Sequence, residues 1–231
     1  MRNYAGTPLE PEQLEKLRLA CREASAPLPG KFLISMVRYE RGGEFRPGTY
    51  GVLRGARDFF VLASDGSRES TMAGAFALER LVLEATDMNL GTCWMGATFS
   101  DKAFAREADV PEGMRIVAVS PVGVGAGHHH LIESIMRMGI SESNRKPFSK
   151  LFYRGNFNTP LAEGHGPYAR ALEAVRRGPS AKNAQPWRVL LDSDGQRVHF
   201  CTVARDRYTD LDMGIALCNF SVVAPKGRFE R

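Results

Sequence analysis

Disulfide chemistry is the first thing this sequence lacks. Its 231 residues contain four cysteines, Cys21, Cys93, Cys201 and Cys218, with no C-x-x-C pair. That excludes a disulfide framework and a cysteine zinc site, and predicts reduced, mostly buried thiols. No apolar run reaches the roughly 18 residues that cross a bilayer, and no signal peptide opens the chain, so a cytoplasmic protein without membrane contact is expected. Blocks of like charge are missing too. The net charge is +5, carried by scattered arginines. This argues against nucleic acid and suits anionic small molecules such as phosphates and nicotinamide nucleotides. There is no dinucleotide fingerprint. The glycine-rich turn Gly123–Gly127 has the wrong spacing, and His128-His129-His130 follows it instead of a helix opening. Adjacent histidines point different ways and have no acidic or cysteine partner at ligand spacing, so no metal is expected. No Ser-His-Asp constellation is visible, and no catalytic side chain is assigned.

What is present is an ordinary globular balance, 43% hydrophobic and 25% charged, enough for a sizeable core. Pro11 to Ala24 reads as a helix with Leu14, Leu17, Ala20 or Cys21, and Ala24 on one face. Lys31–Val37, Asp58–Ala63 and Met114–Val122 read as strands. Arg38–Gly55, with five glycines and a proline, reads as a long loop, either a connector or functional. Met72–Met88 is apolar nearly all round and predicts a buried central helix, with Gly91 placed as its C-cap. Ser100 is placed as the N-cap of a short helix through Glu107.

One stretch organises the rest: Arg176-Arg177-Gly178-Pro179-Ser180-Ala181-Lys182-Asn183-Ala184-Gln185-Pro186-Trp187. Tyr168–Arg177 before it has helical spacing, with Leu172 and Val175 on one face. Gly178-Pro179 ends that helix, and Trp187–Leu191 after it reads as a strand. The connection carries Ser180, Asn183 and Gln185 beside two arginines. On spacing alone it is either an ordinary loop or a seat for a polar ring or a phosphate.

Pro-Ser-Ala-Lys-Asn-Ala-Gln-Pro-Trp closely resembles the P-S-x-x-N-x-Q-P-W signature of the FMN-dependent nitroreductase family. Leu90-Gly91-Thr92-Cys93-Trp94-Met95-Gly96 resembles that family's flavin-contacting turn, Gly74–Ala85 its central helix, and Pro121-Val122-Gly123 a strand end. Arg2-Asn3-Tyr4 is similar to the end of its opening R-R-S-x-R-x-F/Y stretch, whose earlier Arg and Ser positions are absent here. Asn144–Phe152 looks like its late basic stretch, best matched at Arg145 and Lys146. The resemblance implies an α+β fold with a central, mostly antiparallel sheet flanked by helices. It also implies FMN as cofactor and NADH or NADPH as reductant. By the same likeness Arg2, Arg145 and Lys146 would face the phosphate. Trp94, Met95 and Gly96 would lie at the ring, with Tyr50 and Gly51 approaching it. Pro179, Ser180, Ala181, Asn183 and Gln185 would edge it. Trp94 also reads as a core aromatic, and Trp187 reads more as core than as contact.

The signature comes last here, whereas it comes first in ordinary members. That order resembles a subgroup in which two related halves are fused into a pseudo-dimer. Ser25-Ala26 overlays Ser180-Ala181, Phe32 overlays Trp187, and Gly74 overlays Gly214. The expected halves are 1–155 and a shortened 156–231. A second-half counterpart of Trp94 would fall past Arg231, so one flavin per chain is expected, in a monomer or weak homo-oligomer. The implied activity is NAD(P)H oxidation with ping-pong hydride transfer to a nitroaromatic, a quinone or a similar small-molecule acceptor. The alternatives are a flavin-binding relative with little turnover and, more weakly, a sibling chemistry such as reductive dehalogenation or flavin ring cleavage.

Overall fold

A computed structural model describes residues 1–24, 28–40, 47–49, 51–127, 144–164 and 166–225. The chain divides into two compact units, Met1–Met138 and Gly139–Arg231. Ser25, Ala26, Tyr50 and the three histidines lie outside the described residues.

The first unit opens with helix α1 (Pro11–Ala24), whose Leu17 and Cys21 are buried. Strands β1 (Phe32–Arg38) and β2 (Asp58–Ser64) follow, then α2 (Arg68–Asp87), β3 (Gly91–Thr92), α3 (Asp101–Glu107) and β4 (Arg115–Gly123). The sheet order is β1-β2-β4-β3, antiparallel throughout. Every residue of β2 is buried, as expected of a central strand covered on both faces. Phe59 meets Phe104 edge-on at 5.3 Å between ring centroids, so α3 closes one end of the core. On α2, a Cβ on Gly74 would sit 2.6 Å from Leu62 Cδ1. Glycine here lets the helix and the sheet approach closely without displacing the Leu62 side chain.

Two helix boundaries differ from expectation. Ser67 caps α2 by accepting from the Ser70 amide, so the helix starts a turn before Met72. Its left-handed exit residue is Asn89 (φ 58°), with the Leu90 amide donating back to Ala85 O at 2.9 Å. Asparagine tolerates this conformation, and Gly91 is instead a strand residue packed against the Met1 side chain.

The second unit holds β5 (Phe152–Arg154), β6 (Asn156–Pro160), α4 (Ala169–Arg177), β7 (Trp187–Leu191), β8 (Val198–Thr202) and α5 (Thr209–Val223). Its sheet order is β6-β5-β7-β8. β5 runs parallel to β7, pairing Phe152 with Val189 and Arg154 with Leu191. The other pairs are antiparallel. The core is aromatic, with Trp187, Tyr168, Phe152 and Phe220 almost fully buried. The boundary expected at 155/156 falls inside this unit, because β5 pairs with β7 beyond it.

Each unit contains a helix, an antiparallel strand pair and a second helix: α1-β1-β2-α2 in one, α4-β7-β8-α5 in the other. The chain is α+β, with mainly antiparallel sheets. No helix among the described residues is long and apolar enough to cross a membrane.

Candidate functional site

The 178–187 loop and the 144–146 stretch form one hydrogen-bonded knot. Gly178 caps α4, and Ser180 leaves it in an extended conformation before a short 3₁₀ turn at Ala181–Asn183. Lys182, Asn183 and Gln185 then take positive φ of 53°, 54° and 44°. Non-glycine residues in this region cost about 1–3 kcal/mol each and persist only where surroundings impose them. Half of the six such residues described lie in these four positions, which singles out the loop.

The bonds that impose it come mostly from forty residues upstream. Arg145 Nη1 donates to Gly178 O at 2.7 Å and to Asn183 Oδ1 at 3.0 Å. Asn183 Nδ2 donates to Asn144 O at 3.1 Å. The Lys146 amide donates to Gln185 Oε1 at 2.8 Å, while Gln185 Nε2 donates to Arg176 O at 3.2 Å. The Gln185 amide donates to Ser180 Oγ at 3.0 Å. Lys146 Nζ reaches Ala184 O at 2.5 Å and Gln185 O at 3.2 Å. Gln185 is fully buried, so both ends of its side-chain amide serve the loop itself. Asn183 stays half-buried, and its amide is likewise engaged from both ends.

From α5, Asp212 Oδ1 accepts from the Ala181 amide at 2.9 Å. Asp212 is buried, and desolvation pushes its carboxyl up to about 7, with a further push from Asp206. The two arginines that end α4 share one carboxylate. Arg176 and Arg177 both bond Glu173, at 2.6 and 2.7 Å, and those bonds hold the Glu173 carboxyl below its usual range. Arg188, just past the signature, donates to Trp187 O at 2.6 Å and to Gln185 O at 3.4 Å.

In the first unit the 91–96 turn is anchored on β4. Cys93 N donates to Ser120 Oγ at 3.3 Å. Met95 and Val119 exchange backbone bonds, each 2.9 Å. Met95 is buried in a cluster with Phe59 and Phe104, so its side chain is core. Trp94 is half-buried and Gly96 exposed. Trp94 Nε1 donates to Glu79 Oε2 at 2.7 Å, and Glu79 is buried on α2. Arg2 is half-buried, and its carbonyl accepts from the Arg54 amide at 3.0 Å. Gly51 is exposed, with φ 75° and open space where a Cβ would stand.

Sequence reasoning brought Arg145, Lys146, Ser180, Asn183 and Gln185 to one place, and the structure joins them within the second unit. It missed Glu79, Arg188 and Asp212. Glu79 had a readable signal, a carboxylate at a core position of a largely apolar helix. Arg188 stands at the first outward position of an alternating strand. Asp212 had none.

A cleft of about 280 Å³ lies between α1 and α2, lined by Lys16, Leu19, Arg80 and Glu84 among others. It contains none of the expected site residues. Burial pushes the Cys21 thiol up to about 12, which leaves it inert. No cluster of metal-ligating side chains occurs among the described residues.

Two helix–strand–strand–helix units, one carrying a strained basic loop, define an α+β protein of the nitroreductase fold. Residues 1–224 match the family model described as "Putative TM nitroreductase", and the chain belongs to that family. A "putative nitroreductase" from Thermotoga maritima shares the fold. Its TM-score is 0.58 at 13% identity, over 95% of this chain and 76% of that one. An FMN-dependent nitroreductase from Clostridium difficile matches 56% of this chain and 84% of its own, at 18% identity and TM-score 0.45. NfrA1 of B. megaterium matches 56% and 64%, at 19% and 0.45. No curated protein matches the sequence.

Proposed function

We propose that this nitroreductase-family chain is an FMN-dependent NAD(P)H oxidoreductase acting on nitroaromatic, quinone or similar acceptors. The observation that carries the reading is the knot between Asn144–Lys146 and Gly178–Gln185. It holds the family's signature loop in a strained shape, and such strain collects at ligand-binding sites. The donor set suits a flavin mononucleotide, with amides and hydroxyls for a polar ring edge and cations for a phosphate. When bound, FMN would supply the hydride chemistry, accepting from NADH or NADPH and delivering to the acceptor.

The chain's own residues have separable tasks in this proposal. Lys146, Arg145 and Arg2 supply positive charge for the phosphate, where charge-assisted bonds are roughly twice as strong as neutral ones. Pro179, Ser180, Ala181 and Asn183 present the loop to the ring edge, and Gln185 fixes the loop's shape from beneath. Trp94, oriented by Glu79, offers a flat face; Met95 anchors the turn and Gly96 permits close approach. Tyr50 and Gly51 complete the set. The residues come from both halves of the sequence, and one FMN per chain is part of the proposal. A second reading, a flavin-binding protein with little turnover, is favoured by the internal satisfaction of the Asn183 and Gln185 amides.

The deciding experiment is a visible spectrum of the purified protein, with the ratio of flavin to chain after heat release. It is followed by NADPH oxidation with a quinone. About one FMN per chain with turnover supports the first reading, and flavin without turnover the second. A chain that neither carries nor takes up FMN overturns both.

A further inference from the structure

The cleft between α1 and α2 in the first unit holds none of the residues of the proposed flavin site. Its α1 wall carries Lys16, Leu19, Ala20 and Glu23, and its α2 wall carries Arg80 and Glu84. Helix periodicity explains the α1 wall. Leu17 and Cys21 turn one face of α1 into the core, and the cleft residues, spaced three or four apart, occupy the flank of that face. Leu19 stands 47% exposed there. A lone exposed leucine needs no explanation, but this one is a knob beside a hole of about 280 Å³. The four charged groups balance as two cations and two anions. None of them forms an ion pair or a hydrogen bond among the described residues.

The order of groups along α1 is its own complement. Lys16 and Glu23 lie seven residues apart, about 10.5 Å along the axis, with Leu19 and Ala20 midway between them. A second α1 can be laid antiparallel, about a two-fold axis that passes between Leu19 and Ala20. Each Lys16 is then level with Glu23 of the other copy. Each Leu19 is level with the other copy's Ala20, a large side chain against a small one. The two-fold repeats every contact, as an isologous interface requires. A parallel arrangement would set Lys16 against Lys16 and Glu23 against Glu23, and like charges across an interface are penalised.

We propose that the α1 flank and the α1–α2 cleft form a two-fold docking surface for a second copy of this chain. Leu19 of each copy enters the cleft of the other, which removes its exposed part from water. Lys16 and Glu23 close the contact on either side, with Arg80 and Glu84 at the rim. Exposed ion pairs add little affinity and chiefly set orientation. A single helix pair buries less than the roughly 1,200 Å² of a standard interface, so the association is weak, with a dissociation constant on the order of 100 micromolar. The surface is independent of the flavin chemistry proposed above.

The test is sedimentation equilibrium of the full chain from about 10 to 1,000 micromolar, which brackets that constant. Wild type should pass from one chain toward two. Lys16→Glu and Glu23→Lys each place like charges at both contacts, and each should weaken self-association about tenfold or more. Leu19→Gln should do the same by removing the knob. The double variant Lys16→Glu/Glu23→Lys should recover the wild-type constant. An equimolar mixture of the two single variants should associate although neither does so alone, because their charges complement each other at both contacts. That recovery also shows that the single variants are folded. A wild type that remains one chain throughout overturns the proposal and leaves the cleft to another occupant. Association unchanged by Leu19→Gln or by the single charge variants places the interface elsewhere and overturns it too. Loss without recovery in the double variant and the mixture overturns the antiparallel pairing.

Discussion

Asp212→Asn isolates the electrostatic cost built into the second unit. The carboxyl lies buried at the start of α5, with the Ala181 amide donating to it at 2.9 Å. Asparagine retains an acceptor oxygen for that amide and cannot ionise. In the folded chain the carboxyl is raised from 3.8 to about 7, chiefly by desolvation. The folded state therefore holds a proton that the unfolded chain has released throughout this window. Linkage then makes the wild-type contribution largest at acid pH, falling as pH rises from about 4 to 7 and level above that. A displacement from 3.8 to about 7 is worth up to about 4 kcal/mol at 1.36 kcal/mol per pH unit. Water reaching the ionised group in the flexing structure lowers the expected value to about 2–3 kcal/mol. Urea unfolding followed by tryptophan fluorescence, at pH 4.5 and pH 9, checks it. Asn and Asp forms should differ little at pH 4.5, and the Asn form should be the more stable at pH 9. An Asn form equal to or weaker than wild type at pH 9 would refute the desolvation argument. It would mean that the Ala181 bond compensates the buried charge in full.

Other outcomes follow from the same geometry. Asn183→Ala removes the acceptor of Arg145 and the donor to Asn144 O. FMN affinity should fall by about 1–3 kcal/mol in a fluorescence titration, and an unchanged affinity would remove Asn183 from the proposed site. Arg38→Ala strands the buried Asp58 carboxylate, which pairs with Arg38 at 2.6 Å and also accepts from Leu9 N at 2.8 Å. A fully buried broken pair costs about 3–5 kcal/mol. Because Arg38 is a quarter exposed, about 2 kcal/mol of unfolding free energy should be lost, read by denaturant titration.

Local signals were legible where the physics is local. Pro11 opens α1 and the apolar spacing carries it to Ala24, as the sequence suggested. The alternation of Trp187–Leu191 gave β7, and Ser100 capped α3 by bonding the Ala103 amide. The start of α2 was misplaced because Ser67 lies among polar residues that also suit a turn. Gly91 drew attention from Asn89, because glycine is the commoner left-handed residue. The pairing of β5 with β7 was not visible, since nothing in three residues near 152 specifies a partner near 189. The signature loop was recognised from its residue types, but its inner wiring was not. Gln185 reads in the sequence as a donor to a ring edge and is a fully buried brace in the structure. That difference arises from long-range bonds to Lys146 and Arg176, which no window around the loop contains.

The parallel pairing of β5 and β7 has a consequence for motion. α4, β7, β8 and α5 follow one another along the chain, whereas β5 joins from outside that run. Asn144, Arg145 and Lys146 lie only a few residues ahead of β5, linked to it by the Phe148–Lys150 turn. Detachment of that one strand would draw the three residues away and release Asn183 and Gln185 together. The left-handed backbone at Lys182–Gln185 would then relax toward ordinary conformations. The loop's shape thus depends on one docked strand as well as on its own bonds to Arg176, Ser180 and Asp212. Hydrogen exchange should see the amides of Lys146 and of strand β5 open as one group, ahead of the helices.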